Sequence, residues 1–316
     1  MGKFWTGKRV LITGASGFLG SSIVPILRNE KCEIHIPSHK DYDLTQQTDV
    51  IRLFSDYCPQ IVFHFAALVG GILADKRRPA DFFYQNIIMN TMVFQQSYLS
   101  KVEKYVTCMC GCSYPQDAKN PISEDTLFCG RPQPESAPYG LAKSMNVVQS
   151  EAYRRQYGFN SIVLVPGNMY GPYDNFNVED SHVIPGLIRK VYEAKKNNMP
   201  QLIVWGTGKP TRDFVYVGDV ARAVLQAAET YNKSDIVNIS SGKEIAIKEL
   251  VDTIVHLMAY DGNIIWDTSK PDGQLHKLFA VERMHTKLGF RCETPLEDGL
   301  SETIRWFETN YSSARL

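Results

Sequence analysis

The chain has 316 residues, 44% of them apolar, which suffices for a large hydrophobic core and excludes a disordered or fibrous protein. Lysine plus arginine equals aspartate plus glutamate at 34 each, so no net charge attracts nucleic acid or an anionic membrane, and we predict neither as a partner. Seven cysteines favour reduced thiols over a disulfide framework, and no long apolar run or signal segment is visible, so we expect a cytoplasmic protein.

The first element is a short buried strand, residues 8–14, which runs into a glycine-rich turn and then a helix. Three glycines at this spacing let the backbone turn tightly, approach a pyrophosphate and pack helix on strand, while the amides that begin the helix face the phosphates. A plain strand–helix turn is the alternative interpretation. The pattern predicts a dinucleotide site whose contacts are Gly14, Ser16, Gly17, Phe18, Leu19 and Gly20.

A second strand, near residues 32–36, is followed by polar residues rather than by a carboxylate. An acidic residue at this point binds the ribose hydroxyls of NAD and repels the 2′-phosphate of NADP. Ser38, His39 and Lys40 supply donors and positive charge, so we predict NADP(H) in preference to NAD(H), with a solvated turn as the alternative. Asp43 and Leu44 follow, and we place them along the adenine.

The next predicted strand covers residues 60–67 and closes on Ala66 and Ala67, whose small side chains leave room for a cofactor beside the backbone. We interpret His64, within this strand, as a core residue rather than a catalyst. A long helix over residues 79–100 is apolar on more than one face. Such a helix needs two partners, so we predict the sheet on one side and a second subunit, in a homodimer, on the other.

Strands near residues 102–109 and 161–166 alternate with a helix around 139–157, so the first half of the chain repeats strand and helix. This order predicts an α/β fold: a doubly wound parallel (Rossmann) sheet with a smaller C-terminal α/β substrate-binding domain. We assign residues 1–165 to the NADP-binding domain, with 212–235 returning to it, and 166–316 to the substrate domain.

Residues 108–115 and 139–143 have the composition of a reaction centre. Tyr139 and Lys143, four residues apart on a helix, share a face, so the ammonium favours the ionised phenol and makes Tyr139 a candidate proton donor. A simple helix pair is the alternative. Cys108, Cys110 and Cys112 alternate along one predicted strand and cannot surround a tetrahedral ion, so we predict no metal site.

The glycine turn at 14, 17 and 20 and the Tyr139-x-x-x-Lys143 pair together resemble the extended short-chain dehydrogenase/reductase superfamily. Within it the chain is similar to the GDP-L-fucose synthase family over nearly its whole length, in segments 69–72, 80–86, 112–115, 171–176, 181–185, 204–208 and 269–273. The resemblance implies an NADPH-dependent enzyme that converts GDP-4-keto-6-deoxy-D-mannose to GDP-L-fucose. Such an enzyme epimerises C3 and C5 and then reduces the 4-ketone.

Carried onto matching positions, the resemblance implies that Tyr139 protonates the 4-oxygen while Lys143 favours its ionised form and holds the nicotinamide ribose. Cys112 is then the base that removes the protons beside the ketone, and His182 the acid that returns them. Both residue types titrate near neutrality when tuned, which suits protons next to a carbonyl. An inert thiol and a structural loop histidine are the alternatives.

The resemblance also implies binding residues for both ligands. Arg212 and Lys277 match diphosphate-binding positions, Trp205 matches an apolar wall of the sugar-nucleotide pocket, and Lys190 matches a basic position that Arg189 can fill instead. The further implied contacts are Val69, Gly70 and Asn168 with the substrate, and Lys143, Pro166, Asn168, Met169 and His182 with the cofactor.

One position departs from the family. Four residues before Tyr114 the family has Ser or Thr, whose hydroxyl helps to bind the 4-keto oxygen, and this chain has Cys110. A thiol is a weaker donor, and losing one oriented donor to an oxyanion costs on the order of 10²–10³ in rate unless Thr107 or Ser113 replaces it.

Three hypotheses follow from the sequence. The first is the epimerase/reductase described above. The second is a relative that acts on another GDP-4-keto sugar, such as a dideoxy or heptose version, or that lacks epimerisation. The third, from another class, is a non-catalytic NADP(H)-binding regulator, and the presence of both Tyr139 and Lys143 argues against it.

Overall fold

A computed structural model of the chain describes residues 3–178, 180–270 and 272–316, apart from the side chains of residues 72, 73 and 75. Met1 and Gly2, at the start of the predicted 1–165 domain, lie outside the described residues, as does Pro271 of the 269–273 segment. Within the described ranges, no helix combines the length and apolar character needed to cross a membrane.

The central sheet has six parallel strands. They are β1 (Arg9–Thr13), β2 (Glu33–His35), β3 (Ile61–His64), β4 (Lys104–Cys108), β5 (Ser161–Pro166) and β9 (Val237–Ile239), and their order is β2-β1-β3-β4-β5-β9. Every residue of β3, β4 and β5 is buried. Burial on both faces is typical of a parallel sheet that is covered by helices on both sides.

The helices that cover the sheet are α1 (Phe18–Leu27), α2 (Gln47–Tyr57), α4 (Pro79–Leu99), α5 (Ala137–Tyr157) and α7 (Val217–Thr230), and α3 (Ile72–Arg77) is a short helix before α4. Alternate residues of β1 point to opposite faces: Val10 and Ile12 join the core beneath α1 and α7, and Leu11 joins the core beneath α2 and α4. The sheet is therefore doubly wound, which confirms the predicted fold class.

The smaller part of the molecule holds two further sheets. β7 (Gln201–Trp205) pairs in parallel with β11 (Asn263–Asp267), and β8 (Thr211–Tyr216) lies between β6 (Asn168–Tyr170) and β10 (Glu244–Ala246). The helices of this part are α6 (Val183–Lys196), α8 (Ile247–Leu257) and α9 (Leu296–Asn310). After β8 the chain crosses back: α7 packs on α1 and on β4 and β5, and β9 then adds the sixth strand to the large sheet. The segment that returns to the large sheet is therefore 217–239 rather than the predicted 212–235, because residues 212–216 belong to β8 in the smaller part.

The predicted strand at 60–67 is too long, because β3 ends at His64. The chain then leaves the sheet, and the side chain of Asn86 on α4 makes two hydrogen bonds to the backbone of Leu68 in this loop. Its Oδ1 accepts from the Leu68 amide and its Nδ2 donates to the Leu68 carbonyl, each at 3.0 Å. Since Asn86 is fully buried, the loop that carries Ala66, Ala67 and Val69 is held in one position at the C-terminal edge of the sheet.

Candidate active site

The glycine turn packs directly against the end of β3. Gly14 has φ +73°, and a Cβ there would lie 2.5 Å from the Ala66 amide nitrogen. A Cβ on Gly20 would lie 2.4 Å from the Gly14 carbonyl oxygen. The Gly17 amide donates to the same carbonyl at 3.0 Å, and α1 begins at the next residue. The three glycines therefore bring the start of α1 close to the ends of β1 and β3.

This cradle fits a dinucleotide. The first amides of α1 have no partner within the helix and carry its positive dipole end, which is the usual pyrophosphate site. Ser16 is exposed and Phe18 half-buried, whereas the Leu19 side chain is buried, so Leu19 offers its backbone amide. Ala66 and Ala67, both half-buried, flank the cradle.

We expect Gly14→Ala to lower the free energy of unfolding by at least about 3 kcal/mol, because the new Cβ overlaps the backbone of Ala66 and the left-handed φ is strained for alanine. The control is Gly158→Ala: Gly158 also has a left-handed φ, of +68°, but its Cβ would meet nothing within 4 Å, so the cost should be about 1–2 kcal/mol. Chemical denaturation measures both losses. Equal losses would show that the close approach at Gly14 does not constrain the fold.

The turn after β2 exposes Ser38, His39 and Lys40 to solvent. Ser38 closes the turn, since its hydroxyl accepts from the Lys40 amide at 3.1 Å. Asp43 has a different role: its carboxylate accepts from the backbone amide and hydroxyl of Thr45 at 2.9 and 2.7 Å, and these bonds lower its pKa. Leu44 is buried in the core. The placement of Asp43 and Leu44 along the adenine stays a prediction.

The thiols of Cys110 and Cys112 are in contact. β4 ends at Cys108, and residues 111–113 form a single 3₁₀ turn that brings the two Sγ atoms to 2.9 Å. The prediction that the three cysteines alternate along one extended strand is therefore wrong, and so is the argument it supplied against a metal. Among the described residues, no group of three or more His, Cys, Asp or Glu side chains is arranged to hold an ion.

Two glycines make room for this turn. A Cβ on Gly111 would lie 2.5 Å from Cζ of Phe279, and a Cβ on Gly140 would lie 2.9 Å from the Cys112 carbonyl oxygen. Ser113 joins the turn to α5, because its hydroxyl donates to the Gly140 carbonyl at 2.8 Å and lies 3.3 Å from Cys110 Sγ. The glycine that follows Tyr139 thus lets α5 pack on the thiols.

The electrostatic surroundings shift the pKa values of the Cys110 and Cys108 thiols in opposite directions. Burial alone would raise the pKa of Cys110, but contacts with Cys112 and Ser113 and the charges of Lys143 and Lys277 lower it to about 7. Burial raises the pKa of Cys108 to about 12, against the smaller opposing effect of Lys143. A substantial fraction of Cys110 is therefore thiolate near neutral pH, whereas Cys108 stays a protonated core thiol.

Lys277 contributes to the thiol site. Its carbonyl accepts from the Asp213 amide at 3.0 Å, and its Nζ lies 5.8 Å from the centre of the Phe279 ring that packs on Gly111. Burial lowers the pKa of Lys277, and the charges of the Cys112 and Cys110 thiols oppose that effect. We predicted Lys277 for the diphosphate only, because no local sequence signal joins it to residues 110–112.

We expect Lys277→Met to raise the pKa of Cys110, because the ammonium that stabilises the thiolate is lost. Alkylation of Cys110 by iodoacetamide at neutral pH should slow by up to about tenfold, the equivalent of one pKa unit. The measurement is the alkylation rate against pH, read on the Cys110 peptide by mass spectrometry. Lys270→Met is the control, since Lys270 lies by Trp205 instead. An unchanged profile in Lys277→Met would contradict the charge coupling.

Tyr139 and Lys143 lie on α5 beside this cluster. Tyr139 is half-buried, and its ring meets that of Phe82 edge to face at a centroid distance of 6.3 Å. Lys143 is 4% exposed; burial lowers its pKa, and the three thiols of residues 108, 110 and 112 oppose that effect.

His64 lies in the core below this cluster, as predicted. It is fully buried, and its ring nitrogens contact the Thr13 hydroxyl at 2.7 Å and Asn90 Oδ1 at 3.0 Å. Burial, aided by the charge of Lys143, lowers its pKa to about 3, so the imidazole is neutral. A neutral histidine with both nitrogens engaged is a structural residue rather than a catalyst.

His182 is the residue before α6. Its carbonyl accepts the first hydrogen bond of the helix, from the Gly186 amide at 3.1 Å, and 58% of its side chain is exposed. The loop after β3 approaches the same place: a Cβ on Gly71 would lie 3.0 Å from the Asp180 carbonyl oxygen. Val69 and Gly70 are therefore near the segment that leads into His182.

The predicted nucleotide-binding residues lie on the smaller part of the molecule. Trp205, at the end of β7, is 56% exposed, and Lys190 Nζ lies 5.0 Å from its ring centre. Arg189 instead donates to Glu193 at 2.7 Å and to the Phe176 carbonyl at 3.2 Å, so Lys190 rather than Arg189 lies over Trp205. Lys270 Nζ lies 5.5 Å from the centre of the same ring.

Arg212 and Asn168 lie on neighbouring strands, β8 and β6. Burial lowers the pKa of Arg212, against the opposing charges of Glu244 and Asp272. Asn168 donates to the Asp213 carbonyl at 2.9 Å, which fixes its side chain. The two other predicted contacts in this region are Pro166, buried at the end of β5, and Met169, half-buried in β6.

Residues 10–240 match the NAD dependent epimerase/dehydratase family. The match takes in the glycine turn, the thiols, Tyr139 and Lys143. The fold and the site therefore define a member of that class of enzymes.

A GDP-L-fucose synthase of Sinorhizobium fredii (strain NBRC 101917 / NGR234) is 41% identical to this chain over 304 residues, 96% of either protein. The crystal structure of a GDP-L-fucose synthetase from Naegleria fowleri bound to NADP has a TM-score of 0.90 at 30% identity, over 98% of this chain and 97% of that one. The crystal structure of a GDP-6-OMe-4-keto-L-xylo-heptose reductase from C. jejuni has a TM-score of 0.90 at 28% identity, and the match covers 98% of this chain and 100% of that one. The chain belongs to the GDP-L-fucose synthase family of these epimerases and dehydratases, which confirms the resemblance and the enzyme class predicted from sequence.

Proposed function

We propose that the protein converts GDP-4-keto-6-deoxy-D-mannose to GDP-L-fucose by epimerisation at C3 and C5 and reduction at C4. The observation that carries this proposal is the thiol pair of Cys110 and Cys112 at 2.9 Å, next to the helix that bears Tyr139 and Lys143. A base for C–H protons and a proton donor for a carbonyl then share one site. Reduction alone needs no thiol base.

The cofactor is NADP(H), which supplies the hydride for the 4-ketone when it is bound. The amides at the start of α1 hold its pyrophosphate. Ser38, His39 and Lys40, exposed after β2, hold the 2′-phosphate with donors and positive charge.

In the reduction, Tyr139 delivers the proton to the 4-oxygen. Lys143, buried one helical turn further on, supports this step with positive charge near the phenol. Its low exposure matters, because the charge acts through a low-dielectric region rather than through water.

In each epimerisation, a thiolate removes the proton next to the ketone, and His182 returns a proton to the opposite face. Cys112 is the base in this proposal, and Cys110 shares its proton. Cys110 Sγ lies within contact of both Cys112 Sγ and Ser113 Oγ, so the cluster can hold one negative charge across two sulfurs. The charges of Lys143 and Lys277 stabilise that anion.

The substrate is held by its nucleotide and diphosphate. Trp205, with Lys190 over its ring, offers an apolar face with positive charge beside it, and Arg212 supplies a guanidinium for a phosphate. The charges of Arg212 and of the thiols both act on Lys277, so in this proposal Lys277 binds the diphosphate and also stabilises the thiolate. Val69, Gly70 and Asn168 line the sugar.

A second candidate is a related enzyme for another GDP-4-keto sugar, and Cys110 is the observation that favours it. A thiol replaces the hydroxyl that assists binding of the 4-keto oxygen, and a heptose reductase is among the structural relatives. Comparing kcat/KM for GDP-4-keto-6-deoxy-D-mannose and for a GDP-4-keto heptose, each with NADPH, separates the two. A higher value for the 6-deoxy sugar, with GDP-L-fucose as product, supports the first proposal, and a higher value for the heptose overturns it.

We also propose a cytoplasmic homodimer. All seven cysteines are free thiols, which suits a reducing compartment. Apolar side chains on α4 and α5 are exposed, among them Tyr84 at 60%, Leu99 at 56% and Tyr157 at 47%. A second copy of the chain would cover these helices, and the molar mass in solution tests this.

A further inference from the structure

We propose that Asp174 is a positioning residue for His182, whose imidazole it holds with Nδ1–H toward the carboxylate and Nε2 toward the substrate. The proposal rests on the function proposed above, in which His182 returns protons to C3 and C5. Neither the sequence pattern nor the family resemblance singled out Asp174 for a role.

The geometry of the Asp174 carboxylate carries this proposal. Asp174 is 3% exposed, and its Oδ1 accepts from the Asn175 amide at 2.7 Å and lies 3.7 Å from His182 Nδ1. Within the part of the chain that the structure describes, its buried Oδ2 has no hydrogen-bond partner. A buried carboxylate oxygen without a donor is costly, so it calls for an explanation. His182 Nδ1, 3.7 Å from Oδ1, is a donor beside this carboxylate.

Both residues are attached to rigid parts of the molecule. Phe176, two residues after Asp174, is fully buried, and its ring stacks on that of Phe307 at a centroid distance of 4.3 Å. Its amide donates to the Arg315 carbonyl at 2.8 Å, and Arg315 donates to the Tyr173 carbonyl. His182 is fixed by the start of α6. The carboxylate and the imidazole therefore approach from two fixed supports.

A carboxylate at Nδ1 has two effects on a histidine. It selects the neutral tautomer with the proton on Nδ1, which leaves Nε2 as the atom that exchanges protons with substrate. It also stabilises the imidazolium, the form that donates a proton. More than half of the His182 side chain is exposed, as the proposal requires of an imidazole that meets the sugar.

The decisive measurement is the ¹⁵N spectrum of the histidine-labelled protein, with His182 assigned by the signal missing in His182→Gln. In the parent protein the neutral ring should be the Nδ1–H tautomer. In Asp174→Asn the amide donates to Nδ1 instead, and the ring should change to the Nε2–H tautomer. Asp180→Asn is the matched control, an aspartate of the same loop, and should leave the tautomer unchanged. An Nε2–H tautomer in the parent, or no change in Asp174→Asn, overturns the proposal, and the parent spectrum decides even if the variant does not fold.

Kinetics provide the second readout. Asp174→Asn should slow solvent exchange at C3 and C5 by roughly 10- to 100-fold, as for other partners that orient an imidazole. Reduction of the already epimerised ketone should stay within twofold of the parent, because His182 transfers no proton in that step. Equal losses in both reactions would mean a structural role and overturn the proposal. A tautomer change in Asp174→Asn, in a protein whose parent form exchanges nothing at C3 or C5, would support the positioning and contradict the proposed function.

Discussion

Tyr139→Phe should lower the rate of 4-keto reduction by about 10²–10⁴-fold, the usual contribution of a positioned general acid. The phenylalanine keeps the edge contact with the Phe82 ring but has no proton to give. Because Cys112 and His182, rather than Tyr139, exchange the protons in the proposed epimerisation, deuterium exchange at C3 and C5 should continue. Stopped-flow oxidation of NADPH measures the rate of reduction, and NMR of the recovered sugar nucleotide measures the deuterium at C3 and C5.

Tyr157→Phe is the matched control for this substitution. Tyr157 is the last residue of α5, is 47% exposed, and stacks on Tyr98 at 4.4 Å, far along the helix from Lys143. It should reduce the ketone at the parental rate. If Tyr139→Phe also reduces at near the parental rate, another group donates the proton and the assignment of Tyr139 is wrong.

Cys112→Ala should abolish exchange at C3 and C5, a loss of at least about 10²-fold, and spare hydride transfer to a ketone that is already epimerised. The variant removes the proposed base and leaves the charges of Lys143 and Lys277 beside Cys110. Exchange in deuterated water, followed by NMR without NADPH, isolates this step from reduction. Cys129→Ala is the control, because Cys129 is exposed and its Sγ contacts the Asp125 carbonyl instead.

Cys110 provides the contrasting variant. Cys110→Ser restores the hydroxyl that the family has at this position, so reduction should be kept or increased. Exchange that persists in Cys112→Ala and disappears in Cys110→Ala would place the base on Cys110 and contradict the assignment.

Local spacing was sufficient to predict the tight turn at Gly14, Gly17 and Gly20 and the placement of Tyr139 and Lys143 on one helix. The contacts between the glycines form within seven residues of sequence, at positions 14, 17 and 20. Tyr139 and Lys143 are four residues apart on one helix. Both arrangements therefore follow from neighbours in sequence. Alternation of strands and helices predicted the doubly wound sheet for the same reason.

The contacts that tune the site depend on distant parts of the chain. Lys277 reaches the thiols because Phe279 packs on Gly111, and Asp174 meets His182 because a loop between β6 and α6 folds back onto the C-terminal segment. The Cys110–Cys112 contact depends on one 3₁₀ turn where strand alternation was expected. β10 is a strand of only three residues, too short to show a clear periodicity, and no strand was predicted there.

The central claim is that one site carries both epimerisation and reduction. Incubation with NADPH and GDP-4-keto-6-deoxy-D-mannose in deuterated water tests it most directly. We predict GDP-L-fucose with deuterium at both C3 and C5, formed together with oxidation of NADPH. Oxidation of NADPH with no deuterium at either carbon would show a reductase without epimerase activity, and would contradict the role proposed for the thiols and His182.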